Sequence, residues 1–85
     1  MVTKLVERVS EKIESGELLS VSINCGASHT MNAIVPDKID TQDGIYIEGE
    51  RQIVNITNEE NFTVDYDEIE DEFIINQGNT TFYLA

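Results

Sequence analysis

The densest group of ionisable side chains is an acidic stretch between residues 59 and 72. Neither Lys nor Arg occurs anywhere from residue 52 to residue 85. On one face of a β-strand, alternate side chains lie about 6.6–6.8 Å apart, within a factor of two of the ~3.4 Å of axis per phosphate on each nucleic-acid strand. The stretch therefore predicts a surface that binds a basic protein. The predicted partner-binding residues are Glu59, Glu60, Asp65, Tyr66, Asp67, Glu68, Glu70, Asp71 and Glu72.

Apolar residues are interleaved with these carboxylates, which favours a folded surface over a disordered acidic tail. Burial of Phe62 and Tyr66 against the partner is expected to add affinity. The local conformation stays open, because residues 62–67 alternate like a strand whereas Tyr66, Ile69 and Phe73 also fit a helical turn. The simpler alternative is that the whole stretch is a solvated face without a partner.

Cys25 and His29 are the one candidate pair for nucleophilic catalysis. A thiolate–imidazolium pair could form if the two side chains met across the intervening turn. The alternative is that Cys25 is the last inward residue of a strand and is buried, with His29 on the surface of the turn. Because a lone Cys and a lone His form no established motif, we expect the protein not to be an enzyme.

The acidic stretch does not fit a known metal motif. An EF-hand loop that starts at Asp65 would place Ile69 at its fifth position and Glu70 at its sixth, where the motif needs an oxygen ligand and a glycine. Zinc needs four ligands, and the chain has one Cys and one His. No glycine-rich phosphate loop is present. We therefore expect no cofactor and no specific metal.

Composition sets the class of partner. The 85 residues include 17 Asp or Glu and 5 Lys or Arg, for a formal net charge of −12. This charge argues against direct nucleic-acid binding, because affinity for phosphates comes from Lys and Arg. The length indicates one domain, residues 1–85.

The sequence favours a cytoplasmic location in a bacterial cell, or in a host cell if the chain is phage-encoded. Its single Cys excludes an internal disulfide. Its first residues follow an amphipathic helical pattern instead of that of a signal peptide. No apolar run approaches the ~18 residues of a membrane span.

The elements that would position these residues are one helix and several strands. Leu5, Val9 and Ile13 recur at helical spacing and predict a helix over residues 2–14. Residues 18–85 alternate and are punctuated by turn signals, which predicts a β-rich region. We therefore predict an α+β fold, in which the N-terminal amphipathic helix packs on an antiparallel meander sheet of about six short strands.

Three segments are apolar on both faces: 45–47, 53–54 and 73–75. One short helix cannot cover two faces of a sheet, so these segments predict either a homodimer or another complex. The alternative is a strongly coiled sheet that folds over on itself.

These observations predict a non-enzymatic inhibitor that occupies a basic nucleic-acid-binding site on a target protein. Small acidic phage inhibitors of the anti-CRISPR and anti-restriction types have this character, and the chain's 11 Ile and 7 Asn suggest an AT-rich coding sequence. One alternative is an immunity protein or antitoxin of a basic nuclease. Another is a homo-oligomeric structural or assembly protein whose acidic face is merely solubilising.

Overall fold

The computed structural model describes residues 2–85. Its single described helix, α1, covers Val2–Ser15. Leu5 and Val9 are fully buried on one side of the helix, as their spacing requires. The helix ends before Gly16, whose φ of 72° lies in the left-handed region that favours glycine. None of the helical residues in this part of the chain forms a segment long and apolar enough to cross a membrane.

Eight strands follow the helix, and their side chains alternate between buried and exposed positions. In the first strand Leu19 and Val21 are buried, whereas Ser20 between them is exposed. This alternation lets each sheet bury one face and leave the other to solvent. The strands are β1 (Leu19–Cys25), β2 (Ser28–Ile34), β3 (Pro36–Asp40), β4 (Gly44–Gly49), β5 (Ile53–Thr57), β6 (Phe62–Asp67), β7 (Glu72–Gln77) and β8 (Thr80–Leu84).

The strands form two antiparallel sheets. One sheet has five strands in the order β2-β1-β8-β7-β6, and the other has three in the order β3-β4-β5. Strand β8 returns to pair with β1, with Val21 opposite Leu84 and Ile23 opposite Phe82. The two edges of the five-stranded sheet are therefore β2 and β6.

The α+β class, with an N-terminal helix on antiparallel sheet, is confirmed. The helix extends one residue beyond the predicted span 2–14. The structure has eight strands in two sheets where about six strands in one meander were expected. The reason is that turn residues specify pairing between neighbouring strands, whereas the β1–β8 pairing joins opposite ends of the chain.

The core lies between the inner face of the five-stranded sheet, the three-stranded sheet and α1. Its buried members in the five-stranded sheet all lie on the same face by register. The other face, called the outer face below, holds no fully buried residue of residues 2–85. The buried apolar residues are Leu5, Val9, Leu19, Val21, Ile34, Ile45, Ile47, Val54, Ile56, Phe73, Ile75 and Leu84.

The three segments with two apolar faces bury alternate residues only. Ile45 and Ile47 are buried, whereas Tyr46 between them is half-buried. Ile74 is also half-buried, and Ile53 is exposed. The expectation that a partner covers these second faces stays a prediction.

Candidate interaction surface

The β6–β7 hairpin carries most of the acidic stretch. Its strands pair with Asp65 opposite Ile74 and Asp67 opposite Glu72. Because side chains alternate between faces, Asp65, Asp67 and Glu72 lie together on the outer face. Directly opposed side chains have Cβ atoms about 4.5–5.5 Å apart, so Asp67 and Glu72 bring two negative charges close together.

None of the outer carboxylates Asp65, Asp67 and Glu72 forms an ion pair within residues 2–85. The one ion pair among residues 2–85 joins Arg8 to Asp71, which lies at the end of the hairpin turn. Like charges directly opposite each other destabilise a sheet. On the outer face, Asp67 and Glu72 therefore repel each other without a basic side chain paired to either within residues 2–85.

The hairpin turn is built by the side chain of Asp67. Its Oδ1 accepts hydrogen bonds from the backbone N–H groups of Ile69 at 2.9 Å and Glu70 at 3.2 Å, which fixes the turn. Ile69 is 92% exposed at the tip, between the exposed Glu68 and Glu70. Of the two conformations considered, strand and turn form here, and the helical turn does not.

Tyr66 and Asp71 contact helix α1 instead of the outer face. The Arg8 Nη2 group donates to Asp71 Oδ1 over 2.6 Å, and the Tyr66 hydroxyl donates to the same oxygen. Lys4 Nζ lies 3.8 Å from the centroid of the Tyr66 ring, and Arg8 Cζ lies 5.4 Å from that of Phe73. Cations at these distances are attracted by the aromatic face, so α1 holds the inner side of the hairpin with two basic residues.

The hydrogen bonds of this contact shift the pKa values of Asp71, Tyr66 and Arg8. Hydrogen bonds from Tyr66 and then from Arg8 lower the pKa of the Asp71 carboxyl below its ordinary 3.8. The hydrogen bond from Tyr66 to Asp71 raises the pKa of Tyr66 above 10.0. The separate hydrogen bond from Arg8 to Asp71 raises the pKa of Arg8. Asp71 further adopts a φ of 53°, a left-handed conformation that aspartate tolerates better than most residues. Asp71 therefore anchors the hairpin as a charged group.

Glu59 and Glu60 lie at the opposite end of β6, in the turn after β5, and both are exposed. The Glu60 carbonyl oxygen accepts a hydrogen bond from Gln77 Nε2 at 3.0 Å, which ties this turn to β7. At about 3.3 Å per residue, the length of β6 separates this pair from the hairpin turn by roughly 20 Å. The structure thus divides the predicted residues between two ends of one strand.

Five of the predicted residues remain together on the outer face and turn of the hairpin, three of them exposed and two, Asp67 and Glu72, half-buried. Tyr66 and Asp71 contact the helix, and Glu59 and Glu60 are distant. Phe62 and Tyr66, expected to contact a partner, pack against the core from the inner face. The apolar side chain that this surface presents is Ile69. We call this surface the acidic hairpin face; it consists of Asp65, Asp67, Glu68, Glu70 and Glu72.

Sequence reasoning missed the role of Lys4 and Arg8. Their spacing of four residues puts them on one side of α1, and this spacing was the available signal. No local pattern in the sequence says that this side meets Tyr66 and Asp71, more than fifty positions along the chain.

The structure does not bring Cys25 and His29 together. Cys25 is paired with Ser28 and His29 with Asn24, so the two side chains lie on opposite faces of the sheet. Cys25 is exposed, and the expectation that it is buried is wrong, because β1 runs past the core at this end. His29 Nε2 lies 2.8 Å from Ser22 Oγ.

No group of three or more His, Cys, Asp or Glu side chains within residues 2–85 is arranged to hold a metal ion. The position of Asp67 shows why the carboxylates of the acidic stretch do not converge on one point, as metal ligands would. One of its oxygens is taken by the turn, and its neighbour Asp65 is separated from it by a full strand repeat on the same face.

Comparisons of the chain with protein families, with curated proteins and with solved structures find no match. The interpretation of the acidic hairpin face therefore depends on its geometry and charge alone.

Proposed function

We propose that the chain is a non-enzymatic binding protein whose acidic hairpin face occupies a basic, nucleic-acid-binding site on another protein. The observation that carries this proposal is the opposed pair Asp67 and Glu72. The pair has no cation among residues 2–85 and destabilises the sheet by repulsion. A partner's Lys or Arg would neutralise both carboxylates.

The hairpin suits this role because it is held in place before binding. Strand β7 pairs with β8, and Arg8 binds Asp71 at the end of the turn. A disordered acidic segment would lose conformational entropy on docking, whereas a fixed hairpin loses less. The two basic residues of α1 neutralise the inner side only, so the outer carboxylates keep their charge for a partner.

The chemistry of this face defines the partner's surface. Carboxylates accept paired hydrogen bonds from the Arg guanidinium, so an Arg- and Lys-rich groove that binds phosphates fits the row of charges. Ile69, 92% exposed at the tip, adds an apolar contact at the end of this row. Association through such a surface is fast and weakens as salt is added.

We place the protein among inhibitors made by phages or mobile elements, of the anti-CRISPR or anti-restriction type. The support is the combination of small size, a net charge of −12 and AT-rich residue usage. Because such targets act on DNA or RNA inside bacteria, the proposed place of action is the bacterial cytoplasm.

Capture from a lysate of the source or host cell tests the proposal. The full chain is immobilised and the retained proteins are identified by mass spectrometry at low salt, at high salt, and with competing double-stranded DNA. We expect a basic nucleic-acid enzyme that is retained at low salt and released by both salt and DNA.

A matched pair of variants assigns this retention to the surface. The hairpin triple variant carries Asp65→Lys, Glu68→Lys and Glu70→Lys, three carboxylates that make no hydrogen bond within residues 2–85. The control triple variant carries Glu14→Lys, Glu17→Lys and Glu50→Lys at exposed positions elsewhere. Retention should be lost in the hairpin triple variant and kept in the control. Equal loss in both would show that net charge alone is responsible and would contradict the proposal.

A further inference from the structure

Strand β2 forms the edge of the five-stranded sheet opposite to the acidic hairpin face. It is seven residues long, Ser28–Ile34, and every position except Ile34 is exposed. Within residues 2–85 it pairs with β1 on one side and with no strand on the other. Long exposed edges are surfaces on which another strand can add.

The hydrogen bonds of β1 show which groups β2 presents outward. Ser20 exchanges two backbone hydrogen bonds with Ala85, at 2.9 and 3.0 Å, so Ser20 bonds towards β8. In antiparallel sheets, bonding alternates along a strand. The residues opposite Ser20, Ser22 and Asn24 must therefore direct their backbone groups away from β1. These residues are His29, Met31 and Ala33.

The hydrogen bond made by the Ala33 backbone N–H agrees with this outward direction. This N–H donates to the side-chain oxygen of Asn32 at 3.0 Å, a local substitute for a strand partner. Met31, in the centre, is 76% exposed. The middle of the β2 edge therefore offers backbone donors and acceptors beside an exposed apolar side chain.

Charge distinguishes this edge from its counterpart. Strand β2 contains no Asp, Glu, Lys or Arg, in a chain of net charge −12. The opposite edge, β6, carries Asp65 and Asp67 on the outer face. Four strand spacings of about 4.8 Å separate the two edges. A second copy that joins at β2 thus meets an uncharged strand and keeps both acidic edges at the far ends of the combined sheet.

We propose that β2 pairs antiparallel with β2 of a second copy of this chain, around Met31, to give a two-fold symmetric dimer with a continuous ten-stranded sheet. The symmetry gives the outward N–H groups of His29 and Met31 a carbonyl on the other copy, and the Ala33 N–H exchanges its bond to Asn32 Oδ1 for such a carbonyl. The two Met31 side chains become neighbours on the outer face. Both acidic hairpin faces stay exposed, so the dimer is compatible with, and independent of, the function proposed above.

Sedimentation velocity of the full chain tests the pairing from micromolar to millimolar concentration. We expect the weight-average mass to rise from 9.6 kDa towards twice that value, and to rise further with added salt, because salt screens the repulsion between the copies. The acidic hairpin face predicts the opposite salt dependence, so the two proposals can fail separately. A monomer at every concentration and salt level would overturn the dimer.

Two pairs of variants locate the interface. Met31→Pro removes an outward N–H that bonds to no strand in the monomer, and proline is tolerated at such edge positions. It should weaken the dimer by about thirtyfold, for two lost hydrogen bonds per dimer, whereas Met31→Leu should dimerise like the natural chain. If Met31→Pro fails to fold, as judged by its circular dichroism, Met31→Glu takes its place.

The Met31→Glu variant places two like charges side by side near the two-fold axis. Its control is Thr63→Glu, which adds the same charge at an exposed site on β6. We expect a weaker dimer for Met31→Glu than for Thr63→Glu. Equal dimerisation of these two variants, or of the Pro and Leu variants, would show that the copies meet elsewhere and would overturn the assignment to β2.

Discussion

The two edges of the five-stranded sheet differ in charge: β6 is acidic and β2 is uncharged. Strand β6 carries carboxylates on its outer face and is held from the inner side by Lys4 and Arg8. Strand β2 has no charged side chain and is exposed along nearly its whole length. Proteins usually protect sheet edges with charge. Here β6 is protected in this way and β2 is not, and the two proposals above assign the two edges to different partners.

The difference also separates two uses of acidic residues. On the inner side, Asp71 is neutralised by Arg8 and stabilises the hairpin. On the outer side, Asp67 and Glu72 repel each other without a cation from residues 2–85. The inner carboxylate is thus paired with a basic side chain, whereas the outer carboxylates are not, although Asp67 also accepts the backbone hydrogen bonds of the turn.

The largest effect is expected from the helix that supports the β6 edge. Leu5→Ala should lower the free energy of unfolding by about 2–5 kcal/mol, because Leu5 is fully buried and its loss leaves a cavity. Denaturant unfolding measures this change. Amide exchange should begin at a lower denaturant concentration in β3, the strand that α1 lies against, and at Tyr66 and Phe73, which Lys4 and Arg8 contact, than in residues 19–34. A near-neutral value would mean that the helix does not hold this edge.

The next effect concerns the turn that shapes the acidic hairpin face. Asp67→Ala removes two hydrogen bonds to the backbone and should cost about 1–2 kcal/mol in thermal or denaturant unfolding. Asp67→Asn keeps an oxygen acceptor and removes the repulsion with Glu72, so it should cost less than Asp67→Ala. An equal cost for the two variants, both of which remove the charge, would place the importance of Asp67 in its charge instead of in the turn.

A smaller effect on stability, dependent on pH, is expected from Asp71 on the inner side of the β6–β7 hairpin. Because the folded pKa of Asp71 is below 3.8, its charge stabilises the fold above that pH, and the stabilisation is lost as pH falls through the folded pKa. Asp71→Asn should therefore lower the unfolding midpoint at pH 7 and make little difference at the lowest pH. A gap between the two proteins that is unchanged at acidic pH would contradict the role of the Arg8–Asp71 pair.

The smallest expected effect is a gain in stability, whereas the three effects above are losses of stability. The hairpin triple variant should raise the unfolding midpoint slightly at low salt, since it removes repulsion on the outer face. Added salt should reduce this gain, because salt also screens the natural chain. Thermal scans at two salt concentrations measure both. A lowered midpoint would show that these carboxylates hold the structure together.

The sequence predicted the elements better than their arrangement. Helix α1 and the alternation within strands follow from local spacing, as Leu5, Val9 and the β1 residues show. The return of β8 beside β1 could not be predicted, because it depends on pairing between distant segments. For the same reason the nine predicted surface residues could not be divided: the contact of Asp71 with Arg8 joins positions 63 residues apart.

The exposure of Cys25 shows a further limit of prediction from the sequence. Alternation placed it correctly on the inward side of β1, but it could not show where the core ends along that strand. The depth of a residue within a sheet depends on which elements cover it, and here the covering elements are α1 and the three-stranded sheet.

The most direct test of the central claim is competition for the captured target protein between this chain and DNA. A labelled double-stranded DNA is bound to the purified target, and the chain is titrated in while fluorescence anisotropy is followed. We predict that the natural chain and the control triple variant displace the DNA, and that the hairpin triple variant does not. A chain that binds the target while the DNA stays bound would contradict the proposal that the acidic hairpin face occupies a nucleic-acid-binding site.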